Sequence, residues 1–270
     1  TLEDPTGYGR ILRDAQGQVR AIVEQKDATP EQRAIREINT GILAVGARHL
    51  KKWLAALNND NVQGEYYLTD IIAMAVADGV TISTTQPTAA WEIMGVNSKA
   101  QLAELERVAQ WNTAQDLMER GVMLMDPHRF DLRGTLEVGR DVVIDVNVVL
   151  EGRVLLGDRV HIGPNNVLRD CSVASDTLIH PNCVIEQSVI GADCRIGPFA
   201  RIRPTVALAD DAHIGNFVEV KNSAMGDGPK ANHLSYIGDG RVGEGANIGA
   251  GTIFCNYDGY NKHFTDVGKD

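Results

Sequence analysis

From Ile144 to about Phe254 an aliphatic side chain returns every six residues. The rows run Ile144, Leu150, Leu156, Ile162, Leu168, then Val173, Ile179, Ile185, then Ile190, Ile196, Ile202, Leu208, Ile214, Val220, and later Val242 and Ile248. Between rows the step shortens to five, at 168 to 173 and 185 to 190, as if one corner were tightened while the coil continued. That period suits neither an amphipathic helix nor a two-sided strand. It suits a hexapeptide β-helix, in which short parallel strands turn a corner after every repeat and three repeats close a triangular coil. The residues that follow each aliphatic position agree: Gly157-Asp158, Gly163-Pro164, Gly197-Pro198, Gly215-Asn216 and Gly249-Ala250 are corner chemistry.

Composition narrows the function. Aromatics make up only 5% of 270 residues, against 43% hydrophobic, which suits thin coils whose lumen takes Ile, Val and Leu but no ring. A net charge of -10 argues against nucleic acid or an anionic membrane as the main partner, and leaves an anionic small substrate open where Lys and Arg gather locally. Cys171, Cys183, Cys194 and Cys255 show no C-x-x-C spacing. They read as reduced packing thiols, which points to a cytoplasmic protein. No apolar run reaches membrane-spanning length, and no secretory leader is expected. The opening Thr1-Leu2-Glu3 and the close at Val267-Gly268-Lys269-Asp270 read as the ends of a fragment of a longer protein.

Residues 1–99 have a different texture. Segments Gly7–Leu12 and Val19–Glu24 read as two strands joined by a turn, and Ile38–Val45 as a third. Helices are expected over Ala47–Leu57 and Leu68–Ala77, so this part is α/β. Residues 100–120 form a helical linker within a longer pattern, Ser98 to Gly121. Its stripe of Leu102, Leu105, Val108, Trp111 and Leu117 is expected to pack, and Gly121 to end it. Residues 121–270 make the β-helix.

Four motifs stand in order ahead of the repeats: Asp4-Pro5-Thr6-Gly7-Tyr8-Gly9-Arg10, Ile38-Asn39-Thr40-Gly41, Gly64-Glu65-Tyr66-Tyr67-Leu68-Thr69-Asp70 and Gly95-Val96-Asn97. With the β-helix behind them, the whole chain resembles the bacterial bifunctional N-acetylglucosamine-1-phosphate uridylyltransferase / glucosamine-1-phosphate acetyltransferase family. The resemblance implies a partial, Rossmann-like nucleotidyltransferase domain and a left-handed β-helix that assembles as a homotrimer. It implies acetyl transfer from acetyl-CoA to glucosamine 1-phosphate, then magnesium-dependent uridylyl transfer from UTP to N-acetylglucosamine 1-phosphate with release of pyrophosphate. The product, UDP-N-acetylglucosamine, feeds cell-wall precursors.

The same resemblance implies the site residues. At the uridylyl site Gly9, Glu24, Asn39 and Asn97 contact the sugar nucleotide, and Asn97 also offers its side-chain oxygen to Mg2+, a cation that prefers oxygen. The family's glycine-rich phosphate loop and its metal-binding aspartate find no match here, so this chain alone is expected not to carry out uridylyl transfer. At the acetyl site His233 is the proton acceptor, with Glu219 as the candidate to orient it. Arg203, Lys221, Tyr236 and Asn247 bind the sugar phosphate, while Ala250, Asn256 and Tyr257 line the acetyl-CoA side. The stretch between Val220 and Ile237 is read as a loop that interrupts the repeat and carries this chemistry.

Two other enzymes and a structural protein compete with this reading. In a single-activity sugar-1-phosphate nucleotidyltransferase the β-helix would serve only for oligomerisation. A trimeric hexapeptide carbonic anhydrase would need three histidines around zinc, and the histidines of the repeat region include no close pair. A structural solenoid polymerising through its coil ends would leave the first hundred residues unexplained.

Overall fold

The six-residue rows become the three inner walls of a parallel β-helix, left-handed and about seven turns long. On the first face Ile144, Ile162, Ile179, Ile196, Ile214, Ala231 and Ile248 stack in register, each paired with the next. Leu132, Leu150, Leu168, Ile185, Ile202, Val220 and Ile237 form the second wall. The third runs Val138, Leu156, Val173, Ile190, Leu208, Met225, Val242 and Val267. Buried members of these walls belong to one continuous apolar cluster. This is the core a repeat architecture builds when no single repeat can bury its own face. The computed structural model describes residues 1–96 and 98–269. It divides into two compact units, Thr1–Gln101 and Leu102–Asp270.

Corners are made by residues at positive φ. The corner between the first and second faces holds Asn147, Asn165 and Asn182 (φ 58°, 60° and 65°) and then Phe199, Phe217 and Leu234 (φ 56°, 58° and 45°). Asparagine tolerates this conformation and links coils through its amide, as Asn147 Nδ2 does to Asn165 Oδ1 at 2.9 Å. Phenylalanine and leucine do not gain from it, so the later corners are strained. The rings of Phe199 and Phe217 stack at 5.3 Å and stand half exposed. The five-residue steps fall at the next corner, where small side chains turn inward. Cys171, Ser188 and Ser223 are all buried there, and Ser188 Oγ donates to the carbonyl oxygens of Glu186 and Arg203.

One expectation is overturned. The stretch from Val220 to Ile237 is a regular coil: strands Glu219–Met225 and Lys230–His233 pair with their neighbours without a break. The aliphatic pattern only looks interrupted because Met225 and Ala231 take the inward positions. The true excursion comes later. Val242 pairs with Val267, whereas Met225 pairs with Val242, so the last circuit is longer and carries the segment from Cys255 to Phe264 outside the walls.

A helix, Lys99–Glu119, precedes the solenoid and ends at Gly121, φ 91°. Its buried positions are Gln110, Ala114 and Leu117, not the full predicted stripe, and Leu102 is exposed. Gln110 is polar yet buried because its amide imitates a strand: Oε1 accepts from Leu132 N–H and Nε2 donates to Leu132 carbonyl, both at 2.8 Å. Trp111 stacks on His128 at 4.6 Å.

The α/β unit is sparer. Strands Arg10–Arg13 and Val19–Val23 form the antiparallel hairpin expected from the turn at Gly17. Helix Ala47–Leu54 and helix Ile71–Ala77 pack around Trp53, Ile71 and Ala75. The third strand is not formed. Ile38 makes a single bridge to Arg10, and Ile42 beyond it is 74% exposed, because Asn39 and Gly41 (φ 80°) turn the chain away.

Candidate functional site

Parallel stacking lets residues one circuit apart cooperate, and the second face shows how. Arg133, Glu151, Arg169 and Glu186 alternate in sign up successive coils, joined by ion pairs Arg133–Glu151, Arg169–Glu151 and Arg169–Glu186, and Arg201 closes on Glu186 at 2.5 Å. The alternation then fails. Arg203 and Lys221 directly follow the register partners Ile202 and Val220, so two cations occupy successive coils. Above Lys221 the partner is Gly238, where a Cβ would collide with the Tyr236 ring, so glycine lets that ring lie close over this coil.

Around this break the polar groups are tied together. Arg203 donates to Glu219 at 2.9 Å, and Lys221 lies 3.9 Å from the buried carboxylate of Asp239. Asn222 donates to Asp239 Oδ1 at 2.6 Å, and the Asn256 amide bonds both Asp239 Oδ2 and the Tyr236 hydroxyl. Hydrogen bonding from Asn222 holds the Asp239 carboxyl below the usual carboxylate range, helped by Asn256 and by the charges of Lys221 and Lys262. The structure therefore brings Arg203, Lys221, Tyr236 and Asn256 into one cluster. Sequence reasoning missed Asp239, Asn222 and Lys262. The signal for Lys262 was the lengthened circuit between Val242 and Val267, from which it projects.

His233 lies at the end of the first-face strand, exposed, with Nδ1 2.9 Å from Asn216 Oδ1. Its polar partner is thus Asn216 on the preceding coil, in register with it, and not Glu219, which is turned to Arg203. An amide oxygen can only accept, so Nδ1–H is the donor in this contact, and among the described residues Nε2 has no hydrogen-bond partner. Asn247 and Ala250 are exposed and belong to the same side, Asn247 pairing with Lys230 in the first-face sheet. Tyr257 sits on the excursion, its hydroxyl bonded to Gly259 carbonyl. Among the described residues no hydrogen bond or ion pair joins the His233 group to the Arg203–Lys221 cluster.

In the α/β unit, Gly9, Glu24 and Asn39 are adjacent. Asn39 N–H donates to Gly9 carbonyl at 2.8 Å, and a Cβ on Gly9 would press on Ile22 and on both Glu24 oxygens. Glu24 accepts from the hydroxyl of Thr69 at 2.9 Å, a partner the sequence did not single out although it sits in the third motif. Asn97 lies outside the described residues. No group of three or more His, Cys, Asp or Glu among the described residues is placed to hold a metal.

Comparison with known proteins bears on the whole chain. Residues 132–205 match the GMPPB C-terminal domain family. "Bifunctional protein GlmU" of Methylococcus capsulatus is 63% identical over 267 residues, 98% of this chain and 58% of that protein. The proteins of the same name from Paraburkholderia phytofirmans and Aromatoleum aromaticum are each 59% identical across 100% of this chain, covering 60% and 59% of their own lengths. The chain belongs to the bifunctional GlmU family. It spans roughly three fifths of the length of these curated GlmU relatives. Identity at this level extends through both units, so the α/β hairpin and the break in charge alternation at Lys221 both lie within the GlmU match.

Proposed function

We propose that the solenoid carries an acetyltransferase site for an amino-sugar 1-phosphate and that the α/β unit carries part of a uridylyltransferase site. Together they would supply UDP-N-acetylglucosamine, as a bifunctional enzyme does. The observation that carries the acetyl assignment is the failed alternation at Arg203 and Lys221, which sets two cations on successive coils, each beside one carboxylate, Glu219 and Asp239, and supports their sharing one external anion. The sugar phosphate answers that charge, with Arg203 offering a planar fork and Lys221 a point charge. Tyr236, Asn247 and Asn256 would hold the sugar, and Ala250 and Tyr257 would border acetyl-CoA.

In this reading His233 Nε2 takes a proton from the amine as its nitrogen bonds to the acetyl carbon. The carbon–sulfur bond then breaks, and the coenzyme leaves as thiolate to be protonated by solvent. The Asn216 contact keeps Nε2 as the accepting nitrogen. At the α/β site Gly9, Glu24, Asn39 and Thr69 would grip the sugar nucleotide. Mg2+ would require Asn97 and further oxygen donors, and the described residues alone do not assemble a metal site, so no step is assigned to it. Activity in the cytoplasm and assembly as a homotrimer complete the reading. It uses small molecules only, with no nucleic acid and no membrane insertion, and among the described residues no helix is long and apolar enough to cross a membrane. The domain limits in this reading are 1–99, 100–120 and 121–270.

The test is acetyl-CoA-dependent thiol release with glucosamine 1-phosphate, on the chain extended to the length of its relatives, beside the same protein carrying Lys221→Ala. Release in the parent and its collapse in the variant support the reading. A parent that binds the sugar nucleotide but releases no thiol would leave only the nucleotidyltransferase.

A further inference from the structure

Charge on the first face follows a different rule from the second. Arg195, His213 and Lys230 are register partners on three successive coils, Arg195 against His213 and His213 against Lys230. Each step is about 4.8 Å, the spacing of neighbouring strands. Arg195 and Lys230 are exposed and His213 is partly buried between them. The positions that continue the column, Leu178 below and Asn247 above, carry no charge.

Among the described residues neither Arg195 nor Lys230 has an ion pair. From Arg129 to Lys269, every other arginine and lysine except Lys262 has a carboxylate partner. A chain of net charge -10 has carboxylates to spare, and the solenoid elsewhere matches its cations to them. Cations facing one another across neighbouring strands repel and weaken the sheet. The column is therefore a local excess of positive charge, held in a straight line by the register of the fold.

We propose that the Arg195–His213–Lys230 column binds the diphosphate group of a small-molecule ligand. A single phosphate engages two neighbouring side chains. Engaging all three calls for an elongated anion charged at both ends, with Arg195 giving a bidentate fork at one end and Lys230 an ammonium at the other. His213 answers the same charge from the centre. Burial, then the neighbouring charges of Arg195, Lys230 and His180, hold its pKa below the ordinary imidazole range, with Asp211 opposing them weakly. An anion laid along the column cancels that repulsion and favours the imidazolium, so binding takes up a proton and tightens as pH falls. The column is distinct from the Arg203–Lys221 cluster, which lies on the second face, and it shares the first-face sheet with His233 and Asn247.

The test is titration calorimetry and thermal unfolding of the full chain with inorganic pyrophosphate, and with orthophosphate at matched ionic strength. Pyrophosphate is expected to raise the melting midpoint and to bind about tenfold or more tighter than orthophosphate, the margin one further charge-assisted contact supplies. Arg195→Gln and Lys230→Gln are each expected to weaken it about tenfold, and together to abolish the shift. Both side chains are exposed, so the double variant should keep its circular dichroism, and without ligand should melt no lower than the parent.

Arg140→Gln removes an exposed cation outside the column and should leave binding unchanged. ADP in place of pyrophosphate tells the sources apart: tighter binding marks a nucleotide and weaker binding a free diphosphate. Equal weakening by Arg140→Gln and the column variants would mean general charge screening and would overturn the proposal. So would a parent that ignores pyrophosphate while the double variant loses self-association, because the column would then face a second copy.

Discussion

The two units hold themselves together in different ways. In the solenoid the buried walls run without interruption from Ile144 to Ile248, and each strand's hydrogen bonds are completed by the coil above and below. The α/β unit gathers its apolar side chains around Trp53, Ile71 and Ala75 and leaves Ile42, Val62 and Tyr66 largely exposed. In the solenoid, stability comes from nearest-neighbour coils and is roughly additive. In the α/β unit it rests on a few contacts between distant segments. The chemistry follows the same division. Solenoid site residues are fixed by register to fractions of a coil, whereas Gly9, Glu24, Asn39 and Thr69 are held by turns and a single hairpin.

The sharpest test of that contrast is catalytic. His233→Ala, in the chain extended to its relatives' length, is expected to lower acetyl transfer roughly a hundredfold to ten-thousandfold while the melting curve stays put, because the ring is exposed and only its Asn216 contact is lost. A large fall in melting temperature would show that the solenoid does not separate function from support.

Next comes the core. Ile185→Ala removes a fully buried side chain from the second wall and should cost about 2–5 kcal/mol. Trp53→Ala should cost about 3–5 kcal/mol in the α/β unit. Hydrogen exchange resolved by segment checks the contrast: Ile185→Ala should loosen coils on both sides of the lesion in graded fashion, and Trp53→Ala should release its whole small cluster at once.

Cysteine chemistry gives a third distinction. Burial pushes the Cys171 thiol up to about 12, and those of Cys183 and Cys194 up to about 11, from a usual 9.0. Raised thiol values stabilise the fold below about pH 9, and that contribution is lost as pH climbs toward 11–12. At neutral pH a maleimide should label Cys255 alone, since it is the exposed thiol. Labelling of Cys171 before unfolding would mean that its coil opens.

The smallest effect lies at the corners. Phe217→Asn replaces a ring at φ 58° with a residue that accepts that conformation, and should stabilise the isolated chain by about 1 kcal/mol. A loss instead would show that the stack with Phe199 outweighs the strain.

How much was legible in the sequence also divides by unit. The walls were readable because an Ile or Leu in step is a direct statement of which way a side chain faces. The coil from Val220 to Ile237 was misread because Met225 and Ala231 fill inward positions without announcing them. Partners such as Asn216, Asn222 and Asp239 were hidden for a related reason. They meet their neighbours a full circuit away, and the length of a circuit depends on whether its tight corner takes five or six residues. In the α/β unit the hairpin was plain from its turn, but Ile38–Val45 has the composition of a strand without a neighbour to pair with. Composition cannot supply the missing edge.

The alternating charges of Arg133, Glu151, Arg169 and Glu186 bear on how the chain finds its winding. Every coil offers nearly the same aliphatic wall to its neighbours, so hydrophobic contact alone scarcely distinguishes the right neighbour from the one after it. A coil that skipped its true neighbour would set arginine on arginine and glutamate on glutamate. The ladder thus numbers the coils, and lets the growing solenoid reject a miscounted turn before it is sealed.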